Sequence, residues 1–283
     1  MDFKDLAILN VLYEEKNIKK AADRLFLSQP AISYRIQQLE KEWGTTILIR
    51  GNKGVQFTDQ GEYLVEHSKK LLMETEKMIE GLQSMNEEIQ GTLKLGVSNN
   101  FSLYKLPAML SSFMTSFPKV KIQLKTGLGH EVMRLLHEGD IHIGIESAGY
   151  RWTEQKILID KDNLCLISRD PVTIDDLPNL PLIYVPIAAI KGVMNRWWIK
   201  RFSAPPHIIM ETDYVETCKR MVLSGLGVAF VPAFCLNSQD PLHVIDLNTV
   251  SGDQLHMQSW MNYRESSMNL SIVRAFVEFV MRA

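Results

Sequence analysis

The sequence predicts a mixed α/β protein in two parts, an N-terminal winged helix-turn-helix and a larger body of two α/β lobes. Three observations predict it. Residues 17–61 hold two short capped helical segments, a tight turn between them and a basic hairpin, in that order. A long helical stripe follows, from Thr58 to about Ile89. From Gly91 onward short apolar runs alternate with helical ones, the pattern of parallel strands joined by crossover helices.

The elements follow from local chemistry. Residues 2–15 form a first helix with Phe3, Leu6, Leu9 and Leu12 or Tyr13 on its inner face. Asn17 can cap a second helix from Ile18, its side-chain oxygen accepting an amide the helix leaves unpaired. Ala21, Ala22 and Leu25 give that helix a small apolar underside, and Phe26 and Leu27 fall in the turn. Ser28 is the next N-cap, and Pro30 lies in a first turn, where its missing N–H costs little. Ile32, Ile36, Leu39 and Trp43 then recur at helical spacing until Gly44 stops the helix. Residues 46–50 read as a strand, 51–54 as a turn and 55–57 as the returning strand, which makes a wing.

Thr58 caps the long helix, with Asp59 and Glu62 favouring the positive end of its dipole. Leu64, Leu71, Met78 and Met85 repeat every seven residues, with Ser68, Thr75, Leu82 and Ile89 in the alternate seam. That 3-4 spacing suggests a coiled-coil partner, a second copy of the chain; packing on its own domain is the alternative. In the body, strands at 92–97, 120–125 and 141–145 alternate with helices at 103–116 and 130–137. A second unit starts at 163–168. It continues through strands at 182–185 and 208–210, helices at 192–202 and 214–224, and the run 226–232. A last helix, 267–282, returns to the first unit. The expected division is 1–58 for the head, 59–90 for a linker helix and 91–283 for the body. Lobe I is 91–162 plus 267–283, and lobe II is 163–266.

The head points to double-stranded DNA. Opposite the buried stripe of its third helix lie Gln29, Ser33 and Gln37, with Pro30, Tyr34 and Arg35 beside them. Short or planar polar groups at that spacing can bond base edges in a major groove. Ser28 caps that helix, and Lys19, Arg50 and Lys53 are candidates for phosphate contacts. Residues 16–58 carry eight Lys/Arg against three Asp/Glu, while the whole chain has net charge −2. A basic island on a near-neutral chain fits phosphate binding by one module.

The run AADRLFLSQPAISYRIQQLEKEWGTTILIR, followed by FTDQG, resembles the N-terminal signature of LysR-type transcriptional regulators. The paired alanines, L-x-x-SQPAIS, the Leu-Glu four residues before a Gly, Arg50 and T-x-x-G stand in family order. Ile47-Leu48-Ile49 and residues 17–20 depart from the usual family residues. The resemblance implies that the linker helix pairs subunits into dimers or tetramers. It implies a two-lobed effector domain similar to periplasmic solute-binding proteins. As partners it implies promoter DNA, a small-molecule effector and RNA polymerase.

In open α/β units ligands bind beyond the carboxyl ends of strands. That rule selects Ser98, Asn99, Asn100 and Ser102; Thr126, Gly127 and Gly129; and Glu146 and Ser147. In the second lobe it selects Pro186 and Ile187, Thr212 and Asp213, and the strand end at Val231 and Pro232. The family's pocket uses these loops, and the resemblance carries it to Ser98, Asn99, Asn100, Thr126 and Thr212. Glu146 could receive an amine of the ligand or pair with a hinge residue. No Gly-rich phosphate loop, G-x-S-x-G elbow or metal-spaced His pair occurs, so no enzyme, cofactor or metal is expected. The three Cys are far apart and two lie in apolar runs, which reads as buried thiols. With no apolar run long enough to span a bilayer and no leading signal segment, the expected compartment is the cytoplasm.

Overall fold

The computed structural model describes residues 2–51, 54–84, 88–237, 239–248 and 255–282. It divides into two compact units, Met1–Leu82 and Gln83–Ala283. In the first, α1 (Phe3–Glu15), α2 (Ile18–Leu25) and α3 (Gln29–Trp43) precede a hairpin of β1 (Leu48–Gly51) and β2 (Gly54–Phe57). α4 (Asp59–Ser84) follows.

Each start and stop of the head has a local cause. Asp2 and Asp5 form a reciprocal capping box at α1. The Asn17 side chain accepts from the Lys20 amide, and Ser28 Oγ accepts from Ala31 N at 3.3 Å. Phe26 ends α2 with φ +55°, and Gly44 ends α3 with φ +63°. Glu40 explains the Leu-Glu motif: its carboxylate accepts from Ile47 N at 2.8 Å and Leu48 N at 3.2 Å, tying α3 to the hairpin. Thr58 Oγ1 donates to Thr46 O and accepts from Gly61 N, which explains the T-x-x-G.

The core of this unit holds Leu9, Leu12, Ala21, Ala22, Ile32, Ile36, Leu39, Ile47, Val55 and Val65. Two expectations need correction here. Leu6, Leu9 and Leu12 are buried as expected, together with Asp5 and Ile8, but Phe3, in the first turn of α1, is 60% exposed. Leu64 and Ser68 do not continue the open seam. Leu64 packs against the head core, and Ser68 is buried, its Oγ 3.2 Å from Asn10 Oδ1. Beyond them Leu71, Met78, Ile79 and Leu82 are exposed on α4. The expected wing turn at Asn52 and Lys53, the Arg50 side chain and Met85 lie outside the described residues.

The second unit begins with β3 (Gly91–Ser98), α5 (Asn99–Tyr104), α6 (Leu106–Ser116), β4 (Val120–Gly127), α7 (Gly129–Glu138) and β5 (Ile143–Glu146). β6 (Gln155–Ser168) leads to β7 (Leu182–Tyr184), α8 (Ala188–Arg201), β8 (Ile208–Glu211), α9 (Val215–Leu223) and β9 (Ala229–Pro232). β10 (His243–Asp246), β11 (His256–Tyr263) and α10 (Ser271–Arg282) close the chain. β3 lies between β4 and β5 with parallel pairing, Ser98 opposite Gly127 and Val97 opposite Ile145. β11 runs antiparallel to β5 and along β6, and β6 also pairs with β9 and β10.

Two large apolar cores result, beside a smaller cluster of Val132, Met133, Leu136 and Ile141. One gathers Leu95, Val97, Phe101, Phe113, Ile145 and Phe276; the other gathers Leu166, Ile183, Trp197, Trp198, Val222 and Phe230. Several expected boundaries move. The helix expected at 103–116 is two helices, α5 beginning directly after β3 and α6 at Leu106 with Pro107 in its first turn. The strand expected at 163–168 starts at Gln155, and the last helix starts at Ser271. β10 and β11 add to the expected strands. Ile89 is not part of the linker helix; it precedes β3 and packs against the core around Phe113.

Gly61 gives a direct test of the head. A Cβ there would overlap Ile47 O and come within 3.1 Å of Phe57 Cδ1. Gly61→Ala is expected to destabilise the head by about 1–3 kcal/mol, read as a lower denaturant midpoint. An unchanged midpoint would show that the helix start is free to shift.

Candidate functional site

Two surfaces carry chemistry, one in each unit. In the head, α3 buries Ile32, Ile36 and Leu39. Its other side leaves Gln29, Pro30 and Gln37 exposed, Tyr34 62% exposed and Ser33 half-buried. Positions 29, 33 and 37 recur every fourth residue and form one row. The row carries amide and hydroxyl groups and no charge of its own. Lys19 is exposed at the start of α2, as a phosphate contact requires.

Arg35 departs from its expected place among the base-reading groups. Its guanidinium donates through Nε and Nη2 to the buried carboxylate of Asp5, the Nη2 contact at 2.8 Å, and reaches Asp2 at 3.4 Å. A fork of donors matched to a carboxylate is directional. It fixes α3 against the start of α1, and the Asp5 pairing holds the Arg35 guanidinium above its ordinary range. The Coulombic preference is for an acidic partner within the fold.

In the body, a narrow cleft lies between the two cores. From the side of β3, β4 and β5 it is lined by Ser98, Asn99, Asn100, Gly127, Leu128, Gly129, Ser147, Ala148 and Tyr150. Ile187, Ala189, Phe234 and Met257 line the opposite side. One wall is thus mostly neutral and polar, the other apolar. Ser147 Oγ and Ser259 Oγ lie 2.9 Å apart, joining the end of β5 to β11. Ser98 Oγ is buried with no hydrogen-bond partner.

Glu146 ends β5 and is fully buried. Its Oε2 accepts from Ala148 N at 2.6 Å and Gly149 N at 2.8 Å, while Oε1 has no partner. Burial pushes this carboxyl above its ordinary range, against the lowering effect of those two amides. Lys156 is engaged elsewhere: its ammonium donates to Tyr150 O at 2.6 Å and sits 4.7 Å from the Trp260 ring centroid.

Of the strand-end residues selected from sequence, Ser98, Asn99, Asn100, Gly127, Gly129, Ser147 and Ile187 come together on the cleft. Ser102 turns back on its own helix, donating to Asn99 O at 2.8 Å. Thr126 and Pro186 are exposed and Thr212 is half-buried, all outside the lining, and Glu146 stands behind it. Tyr150, Phe234 and Met257 were missed. Tyr150 and Phe234 stand just past strand ends, so the same rule carried a few residues further would reach them. Met257 sits in β11, which has no sequence signal of its own.

The cysteines take no part. All three are buried, and burial pushes the Cys165 and Cys218 thiols up to about 12 and the Cys235 thiol higher. Such thiols stay protonated and unreactive at neutral pH. No group of His, Cys, Asp or Glu able to hold a metal occurs among the described residues.

Comparison with known proteins bears on both surfaces. Residues 3–62 match the bacterial regulatory helix-turn-helix protein family, lysR type, and residues 86–283 match the LysR substrate binding domain. The uncharacterized HTH-type transcriptional regulator YraN of Bacillus subtilis (strain 168) is 37% identical over 281 residues, covering 99% of this chain and 97% of its own. YkuM of the same organism is 33% identical over 283 residues, with the same coverage. Among solved structures, full-length CbnR in complex with its target DNA has a TM-score of 0.72 at 21% identity, covering 100% and 99% of the two chains. A full-length OxyR variant from Pseudomonas aeruginosa has 0.71 at 18%, covering 99% and 97%. At those identities the two structures bear on the fold alone.

Glu146 predicts a pH signature. Its folded value lies above the ordinary 4.5, so the folded state keeps this proton where the unfolded chain has lost it. Its contribution is fully present below about 4.5 and is lost as pH rises through the raised value. Glu146→Gln removes the buried charge, so the variant should melt higher than the parent at pH 7. The gap should narrow as pH falls toward about 4.5. A pH-independent gap in melting temperature would contradict the assignment.

Proposed function

Because the chain belongs to the LysR family and is a ligand-responsive DNA-binding transcriptional regulator, not an enzyme, we propose how its parts divide the work. Gln29, Ser33, Tyr34 and Gln37 read base edges from α3, Pro30 offers an apolar edge to a thymine methyl, and Ser28 holds the helix start. Lys19, Arg50 and Lys53 contact phosphates. A small-molecule effector binds in the cleft between the two lobes, held by Ser98, Asn99, Asn100, Gly127 and Ser147. The expected lobe limits are 91–162 plus 267–283, and 163–266. Its binding alters the angle or spacing of the DNA-binding heads across an oligomer. The chain acts on promoter DNA, with RNA polymerase as the further partner, in the cytoplasm. No described helix is long and apolar enough to cross a membrane.

The observation that carries this reading is an uncharged polar row, Gln29 and Gln37 exposed and Ser33 half-buried, on a capped helix whose opposite face buries Ile32, Ile36 and Leu39. Such a helix can approach a groove only with that row. Gln29→Ala should cost roughly 1–3 kcal/mol on the specific promoter site and little on random DNA. Equal losses on both would make Gln29 a positioning contact and rotate the helix away from this orientation.

Self-association is supported by the exposed residues Leu71, Met78, Ile79 and Leu82 of α4. They lie on the helix beyond the part that packs on the head core, so a second copy of α4 is the natural cover. Leu71→Asp would put a charge into that seam and should give monomers in sedimentation. Promoter affinity should fall with it, since one head holds one half-site. A variant that stays oligomeric would show that the stripe is covered by something else.

A further inference from the structure

The chemistry of the cleft narrows what it can hold. No Lys or Arg occurs among the described residues that line it. The charged group at its strand ends is the acidic Glu146, while Lys156 donates to the backbone of Tyr150. β3 and β5 run parallel with Val97 opposite Ile145, so Ser98 and Glu146 are the next residues along two neighbouring strands. Both carry a buried oxygen without a partner, Ser98 Oγ and Glu146 Oε1. Buried polar groups in folded proteins are nearly always paired, so two orphans side by side at strand ends call for a ligand donor.

Pairing with a hinge residue is the other role open to Glu146, and the geometry disfavours it. Lys156 directs its ammonium to Tyr150 O and the Trp260 ring. Glu146 is also placed to be reached. Ser147 and Ala148, directly after it, line the cleft, as does Gly129. A Cβ on Gly129 would lie 3.7 Å from Glu146 Cβ and 2.7 Å from the Tyr150 ring. The missing side chain leaves room for the half-buried Tyr150 ring to lie over this corner.

Resting on the reading of the cleft as the effector site, we propose that the effector is a small molecule carrying a protonated amine. Glu146 Oε1 accepts from the ammonium, Ser98 Oγ accepts a second of its N–H groups, and Ile187, Phe234 and Met257 cover its apolar part. Placing a cation against a buried carboxylate satisfies both groups at once, whereas a carboxylated ligand would meet repulsion there. The direction of the Glu146 shift agrees, since burial holds this carboxyl above its ordinary range despite the lowering effect of Lys156.

The test uses the full-length protein, a DNA fragment from upstream of its own gene, and a small-molecule extract of the source cells. The extract, with chelator present, is split into fractions retained by cation-exchange and by anion-exchange resin. DNA affinity is titrated against each fraction for the parent, Glu146→Gln and Ser98→Ala, each checked for folding by its melting curve. The expected result is a response to the cation-exchange fraction whose half-effective dose rises at least about tenfold in Glu146→Gln. Ser98→Ala shifts it in the same direction and carries the test if Glu146→Gln does not fold. A response to the anion-exchange fraction overturns the amine and leaves the effector reading standing. A cation-fraction response unchanged in both variants overturns the site. No response to any fraction overturns the effector reading and the proposal with it.

Discussion

The body depends on one long antiparallel pairing, β6 with β11. Their register runs from His256 opposite Asn163 to Tyr263 opposite Gln155, with a shift between Ser259 and Trp260. At one end β11 joins β5, and with it the core around Phe113. At the other end β6 carries β9 and β10, and with them the core around Trp197 and Trp198. Two cores hung on one ribbon must face each other across its middle, and that is where the cleft lies. The irregularity at Ser259 falls at the same point, where a bulge increases local twist. Met257 and the Ser147–Ser259 contact place this stretch of β11 against the cleft.

Side-chain contacts then join the lobes beside the ribbon. The Tyr104 hydroxyl on α5 donates to Glu216 on α9. Lys105 pairs with Asp160 at 3.3 Å and sits 5.5 Å from the Phe234 ring centroid. Lys219 is almost wholly buried yet satisfied, donating to Cys235 O and Asp240 and lying 3.2 Å from Glu216. Glu146, buried to the same degree, has an empty acceptor. The contrast separates a charge that holds the fold together from one the fold leaves available, because the fold supplies partners where stability alone is at stake.

The head is held by polar contacts of a different kind. Glu40 and Thr58 pair otherwise open backbone groups of the hairpin and of the start of α4. Arg35 locks α3 to α1 through Asp5. The apolar core beneath is small, so these directional contacts decide how α3 is presented. The outward row of α3 keeps its place because the opposite face is anchored in this way.

The sequence by itself determined the head: Asn17, Ser28, Gly44, Thr58 and the Ile32/Ile36/Leu39 stripe act on neighbours within one or two turns. It also determined the strand ends of the first lobe, because βαβ alternation is local and ligands gather where parallel strands stop. β11 stayed hidden, since its partner β6 lies about a hundred residues away, and the charged residues Lys156, Asp160, Lys161 and Asp162 hid the first half of β6. Only the tertiary structure decided which strand-end residues meet. Thr126 faces out while its neighbour Gly127 lines the cleft, because one step along a strand changes face. Only it decided that Leu64 and Ser68 belong to the head while Leu71 does not, since a heptad repeat cannot say which apolar surface is nearer. The apolar wall of Ile187, Phe234 and Met257 and the unpaired oxygen of Glu146 are likewise tertiary facts. Burial and unmet hydrogen bonds are properties of what surrounds a residue, and distant parts of the chain supply those surroundings.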